Sequence, residues 1–293
     1  MKYIIVLVSA VLFCSCYGAQ NAAESPVNAY NLPNVAPNDS DTVATPNTAE
    51  PIDPIDLTIP EPPKPPEFES VEKVSEHKPE VFDHSKWNTL LKRHVSENGN
   101  VNYKGFKTDR SELATYINAL AQNTPNEDWR RDDILAYWIN AYNALTIDLI
   151  IKNFPIKSIK AIKDLWHQRL WQFGDKWINL NGIEHDILRV MDEPRIHFAI
   201  VCASVSCPKL QNEAFTATDL EVQLSKATAT FLNDRSRNEI SKDLIILSKI
   251  FKWFSKDFER NGTVIDFLNT YSDIAISQSA KIEYKDYNWE LNN

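Results

Sequence analysis

HFAIVCASVSCPKL, at 197–210, brings a histidine, two cysteines and a Cys-Pro pair to the end of an apolar run. A thiol acts as a nucleophile or metal ligand only once ionised, so its use depends on what lowers its pKa, or on whether a disulfide consumes it. Read as a buried strand, 195–202 alternates, with Arg195, His197, Ala199 and Val201 on one face and Ile196, Phe198, Ile200 and Cys202 on the other. That alternation keeps His197 from pairing with Cys202. Cys207 precedes Pro208, the pattern of an N-cap followed by proline at the first helical position, and KLQNEAF (209–215) would supply a short helix. Exposed amides at such a helix start lower a thiol's pKa, which makes Cys207 the better nucleophile of the two. In an oxidising compartment the same residues instead close a Cys202–Cys207 disulfide loop, and inert thiols are the third reading.

Other residue types capable of chemistry lie upstream. Glu184 and His185 follow Asn181-Gly182 and fall in the first turn of a short helix, whose positive end favours the Glu184 carboxylate. His185 there can serve as general base toward a thiol, with Glu184 orienting it; the plainer reading is a helix-start charge beside a surface histidine. Asn140 and Asn143 share one side of an otherwise apolar helix, where an unpaired amide costs a few kcal/mol. They either tie that helix to a neighbouring loop or contact a substrate or its oxyanion. Arg195 and His197, on one strand face, can hold a substrate carboxylate, although Asp192 and Glu193 offer Arg195 ordinary partners. Trp166, Trp171, Phe173 and Trp177 read as core rather than as a sugar-stacking platform.

Several mechanisms are excluded. The chain has no G-x-x-x-x-G-K-[ST], G-x-G-x-x-G, G-x-S-x-G or H-E-x-x-H, and its 6 glycines leave little for a phosphate cradle. His185, His197 and the cysteines could gather around a metal, but C-x4-C lacks the paired short spacings of a structural zinc site. No metal and no cofactor is expected.

The compartment follows from the N-terminus. MKYIIVLVSAVLFCSCYGAQ sets Lys2 before an apolar run and then small residues, the pattern of a secretory signal peptide over 1–19. Cys16 is the residue a lipoprotein would acylate, whereas Gly18 or Ala19 would precede an ordinary cut; the protein is therefore expected in the periplasm or anchored to the cell envelope. From 20 to 80 the composition shifts: 12 of the 16 prolines fall there, with 12 acidic residues against 3 lysines. Such a stretch cannot bury enough apolar area to offset its ordering entropy and reads as a disordered acidic linker. Its net charge of −9 equals that of the whole chain, so the rest of the chain balances and 81–293 has no basic excess to hold nucleic acid. A membrane contact is expected only through a lipid on Cys16.

The elements that must position the candidates lie in 81–293, read as one α+β domain with helices and strands mixed without a βαβ rhythm. Helical spacing marks 83–94 and 111–122. RDDILAYWINAYNALTIDLIIKNF (131–154) is the longest helix, opened by acidic residues and stopped before Pro155. No further run is read as long enough to span a membrane. WQFGDKWINL is a hairpin turning at Gly-Asp, NGIEHDILRVM a short helix, 218–233 an amphipathic helix, DLIILSKIFKWF a strand running into a turn or helix, 264–271 a helix, and KIEYKDYNW holds the last strand.

YWINAYNALTI (137–147), INLNGIEHDILR (178–189), PRIHFAIVCASVSCPKL (194–210), LSKIFKWFSKDF (247–258) and the terminal YNWELN, in this order, resemble the blocks of the domain of unknown function 547. The resemblance covers 87–293. It implies a widespread domain, often exported in bacteria, without an assigned reaction. Its matching positions are Asn140, Asn143, Glu184, His185, Arg195, His197, Cys202 and Cys207.

The leading expectation is a thiol-dependent hydrolase or transferase acting on an extracytoplasmic peptide or acyl substrate, with Cys207 or Cys202 as nucleophile, His185 as base and Glu184 as its orienter. Asn140, Asn143, Arg195 and His197 would bind the substrate. This geometry requires His185 within reach of a cysteine sulfur, in a cleft that also exposes Asn140 or Asn143. The alternative is a non-catalytic domain that binds a small molecule or peptide, or acts as a scaffold, stapled by Cys202 and Cys207. Limited proteolysis of the full chain is expected to leave a stable core beginning between 79 and 87; protection of the tail would overturn the linker reading.

Overall fold

Helix α4 (Arg131–Asn153) is apolar on every face, and such a helix must be surrounded. Asp132 and Asp133 in its first turn suit the positive end of the helix dipole, and from Leu135 to Ile151 it is buried almost without interruption. By length and apolarity it would suffice to cross a membrane, which corrects the reading that the chain has no further such run. Here 89% of its apolar window is covered by protein instead. The computed structural model describes residues 82–293. The signal peptide expected at 1–19 and the linker expected at 20–80 lie outside the described residues.

Three helices, α1 (Ser85–His94), α2 (Tyr103–Thr108) and α3 (Arg110–Gln122), pack with α4 into the larger hydrophobic core. Trp87 of α1 stacks on Tyr116 of α3 with ring centroids 5.7 Å apart, and the Tyr137 hydroxyl of α4 donates to the Leu120 carbonyl at 2.6 Å. Strands β1 (Trp171–Phe173) and β2 (Lys176–Ile178) form the expected hairpin, whose turn needs a left-handed residue and has Gly174 at φ 55°. The predicted helix after it is helical but irregular: α5 (Leu180–Gly182) runs into a π-helical turn, Ile183–Leu188, and a 3-10 turn, Arg189–Met191. A second core gathers Phe198, α6 (Leu220–Leu232), α7 (Lys249–Trp253), α8 (Ser255–Phe258), α9 (Val264–Tyr271) and the middle strand of a three-stranded sheet. In that sheet β3 (Glu239–Ile240) pairs antiparallel with β4 (Leu244–Leu247), and β5 (Lys281–Tyr284) pairs parallel with β4 after the α7–α9 crossover. The fold is α+β, as read from the sequence.

The segment carrying the chemistry is not the expected strand. Pro194–Phe198 is a 3-10 turn, started by Pro194 and by the Glu193 carboxylate accepting from the Arg195 amide, and 199–203 continues without strand pairing. An apolar run alone cannot tell a buried strand from any other buried segment, and here residues from Ile196 to Val201 are all buried. The alternation that separated His197 from Cys202 therefore does not exist. What replaces a strand partner is a side chain: Asn143 of α4 donates to the Ala199 carbonyl at 2.9 Å and accepts from the Val201 amide at 3.0 Å. Asn140 treats Phe215 in the same way, donating to its carbonyl at 2.8 Å and accepting from its amide at 3.0 Å. The helix expected at 209–215 is also absent. That stretch has neither helix nor strand and bends at Asn212 and Glu213, so Cys207 is not an N-cap.

Asn143→Ala leaves one carbonyl and one amide unpaired in the core, each costing about 1–3 kcal/mol. Urea unfolding is expected to show a loss of roughly 2–6 kcal/mol, and a loss below about 1 kcal/mol would show that Asn143 does not carry the segment.

Candidate functional site

Where the two cores meet, between α4 and α7, a cleft of about 210 Å³ opens. Its walls are aromatic, with Trp166, Trp253, Phe254 and Trp289, and its polar lining includes Glu184, His185, His197, Cys202, Cys207 and Tyr287. The cysteines reach it because the chain reverses at Ala203, a buried residue with φ 58°. A non-glycine residue held there is strained, and the surroundings must hold it. They do: Ser204 bridges to Leu291, the Val205 amide donates to Glu290, and the Ser206 amide donates to Asn288. The C-terminal residues therefore strap the cysteine loop in place.

Both cysteines are free thiols, so the expected staple is not formed in this structure. The Cys202 amide donates to the Cys207 sulfur at 2.8 Å, while the Cys202 sulfur lies 3.1 Å from the Ser204 hydroxyl and 3.3 Å from the Tyr287 hydroxyl. Burial opposes ionisation of Cys202, but hydrogen bonds from the Cys207 thiol and from the Ser204 and Tyr287 hydroxyls outweigh it and bring its pKa down to about 7. Cys207 is pushed up by burial and by the charge on Cys202. The order expected from the Cys-Pro pattern is reversed: Cys202 is the partly exposed, more acidic thiol, and Cys207 is the buried one that keeps its proton.

Glu184 does not orient His185. It sits in the π-helical turn beside α4, where the Tyr142 hydroxyl donates to it at 3.2 Å. Burial raises its carboxyl to about 7, only partly offset by that hydrogen bond and the Arg189 charge. The partner of His185 is Arg189, one helical turn on, whose guanidinium meets Nδ1 at 2.7 Å. Burial and this cation hold His185 below its ordinary pKa. Arg189 also forks onto Asp257 of α8 at 2.6 and 2.9 Å, and Asp257 receives His197 Nε2 at 2.8 Å. Asp257 is held well below the usual carboxylate range: burial works against it, but the bonds from His197 and Arg189 dominate. His197 is depressed by burial, against the pull of Asp257, and its ring stacks on Phe254 at 4.0 Å.

His185, His197, Glu184 and both cysteines thus share one cleft, although among the described residues no imidazole hydrogen-bonds to a sulfur. Asn140 and Asn143 do not line it, because their amides are spent on backbone. Arg195 is also outside, its guanidinium divided between Glu193 and Glu221. Of the aromatics read as core, Trp171 and Phe173 are buried, Trp177 is 55% exposed, and Trp166 faces the cleft. Tyr142, Arg189, Ser204, Asp257 and Tyr287 were not singled out from the sequence. All of them fall inside the five recognised blocks, but nothing in residue type or spacing marks a tyrosine or arginine in such a block as part of a site.

Residues 126–232 match the model of a family described as protein of unknown function, DUF547. This is narrower than the 87–293 read from the blocks, and it ends before Asp257 and Tyr287. No curated protein and no solved structure matches the chain. Among the described residues no group of three or more His, Cys, Asp or Glu could hold a metal ion.

A carboxyl whose folded pKa of about 7 exceeds its unfolded value of 4.5 binds more protons when folded across that window. Its contribution favours the folded state below about pH 4.5 and is lost as pH rises through about 7, a loss of about 3 kcal/mol. Glu184→Gln is expected to remove this slope between about pH 5 and pH 8 in urea unfolding; an unchanged slope would show that Glu184 is not the buried acid.

Proposed function

We propose that this chain, which carries a DUF547 domain, is a thiol-dependent acyl hydrolase or transferase with Cys202 as its nucleophile. The single observation that supports this most strongly is the environment of the Cys202 sulfur: partly exposed in an aromatic cleft, 3.1 Å from the Ser204 hydroxyl and 3.3 Å from the Tyr287 hydroxyl, with Cys207 beside it. A thiol with a pKa near 7 is substantially ionised at neutral pH without losing much nucleophilicity. The Cys202 thiolate attacks an acyl carbon, the carbonyl electrons move to oxygen, and collapse expels the leaving group, which takes a proton from the cleft. Glu184, titrating near 7, is a group able to supply that proton at neutral pH. Water or an acceptor nucleophile then cleaves the thioester and regenerates the thiolate. The apolar walls favour an acyl or peptide substrate over a phosphorylated one, and the leader-like N-terminus supports a substrate met outside the cytoplasm.

The free thiols do not favour the stapled binding domain, although aromatic walls would equally suit a bound ligand. Two measurements decide. Iodoacetamide is expected to alkylate Cys202 ahead of Cys207, with a midpoint near pH 7, and p-nitrophenyl acetate to leave one acetyl group on Cys202, detected by peptide mass spectrometry. Cys202→Ala should abolish acetylation, whereas Cys207→Ala should retain it with a shifted pH midpoint. Acetylation that survives Cys202→Ala, or a Cys202 that alkylates only near pH 9, would leave ligand binding as the better account.

A further inference from the structure

The thiol reading leaves open which group activates water against the thioester and which steadies the oxygen that becomes charged. His185 was the sequence's candidate base, yet its hydrogen bond has the wrong polarity for that task. A guanidinium has donors and no lone pair, so the ring nitrogen facing Arg189 must be unprotonated. That nitrogen is Nδ1. The neutral ring therefore carries its proton on Nε2, which has no partner among the described residues. What His185 offers the cleft is an N–H donor.

At His197 the neighbouring carboxylate decides. Asp257 is ionised and accepts only, so Nε2 of His197, 2.8 Å from Oδ2, must carry the proton. Nδ1 is then a lone pair, without a partner among the described residues. Both rings hold the same tautomer, but opposite ends of it are free. Stacking on Phe254 at 4.0 Å fixes the His197 ring, and the Arg189 guanidinium lies 5.3 Å from that same Phe254 ring. The Arg189 charge also favours the neutral form of both imidazoles.

We propose that the Arg189–Asp257 pair divides the labour of the cleft, leaving His197 Nδ1 as the general base of deacylation and His185 Nε2–H as a donor to the developing oxyanion. This rests on the thiol reading above. In deacylation, water oxygen bonds to the thioester carbon while its proton passes to His197 Nδ1, and the carbonyl electrons move to the oxygen facing His185 Nε2–H. Collapse restores the carbonyl and breaks the C–S bond, whose electron pair returns to Cys202 as thiolate. The carboxylic acid leaves, and His197 releases its proton to solvent. Arg189 and Asp257 touch neither substrate nor sulfur and are positioning residues.

The assignment is read directly by ¹⁵N NMR of the full chain near neutral pH, with the 6 histidines assigned through single His→Gln variants. Expected are a protonated Nε2 and an unprotonated Nδ1 in both His185 and His197; a protonated Nδ1 in either ring overturns the proposal. Arg189→Lys, which keeps the charge and loses the fork, should let His185 populate both tautomers while His197 keeps its own; a His185 that stays wholly Nε2–H would show that Arg189 does not set it. In single turnover with p-nitrophenyl acetate, His197→Gln should acetylate Cys202 but slow its deacylation roughly 10²-fold or more. His185→Ala should slow acetylation and deacylation alike, because the oxyanion forms in both steps, and a His185→Ala defect confined to deacylation or a His197→Gln defect confined to acetylation would overturn the assignment. Absence of acetylation in the unsubstituted protein would sink the thiol reading instead, and the NMR pattern would still decide the polarity of the two rings.

Discussion

One side chain of the central helix does the work of a neighbouring strand. The Asn143 amide, fully buried in α4, closes two hydrogen bonds onto Ala199 and Val201, the backbone that leads from His197 to Cys202. A buried backbone segment without a ladder must find partners elsewhere, and an amide that both donates and accepts satisfies a carbonyl and an amide two residues apart. Because that anchor lies on the most deeply buried helix, the segment inherits its rigidity. Removing the pairing would not merely loosen a loop: His197 and Cys202 stand on either side of it, and the separation between an imidazole and a thiol in the cleft depends on it.

Charge is arranged around this frame so that few groups are left uncompensated. Asp257, buried on α8, would be costly alone; it receives Arg189 and His197, with Arg260 3.6 Å away. Since Arg189 also meets His185, a single ion pair sets the hydrogen-bonding sense of two imidazoles. Glu184 is the contrasting case. Its carboxyl has one phenolic donor, Tyr142, and burial therefore raises its pKa where Asp257 is lowered. Two carboxyl groups near one cleft are thus separated by the number of donors each receives.

The C-terminus completes the site. Tyr287 reaches the Cys202 sulfur and Trp289 walls the cleft, while the backbone of 288–291 holds the strained turn at Ala203. Both residues lie beyond the segment matched by the family model, as does Asp257. A chain cut at the end of that match would keep the cysteines and lose the groups that tune them.

From the sequence alone, periodicity was sufficient for α1, α3, α4, α6 and α9, the β1–β2 hairpin and the α+β class, because these elements are held by local propensity and a face or run of apolar residues. The candidate residues Glu184, His185, His197, Cys202 and Cys207 were also legible, by type and by the recognised blocks, and they share a cleft. Their partners were not. An apolar run such as HFAIV carries no mark that a helix amide, rather than a strand, will pair its backbone. Likewise nothing local to Cys202 shows that Tyr287, 85 positions away, will meet its sulfur. What lies beside each thiol, what faces each histidine nitrogen, and whether Asn140 and Asn143 meet a ligand or a carbonyl depend on contacts between distant segments. Residue type limits what each group can donate or accept, and only the packing of α4 against 194–207, α8 and the C-terminal strap decides which of those capacities is already spent.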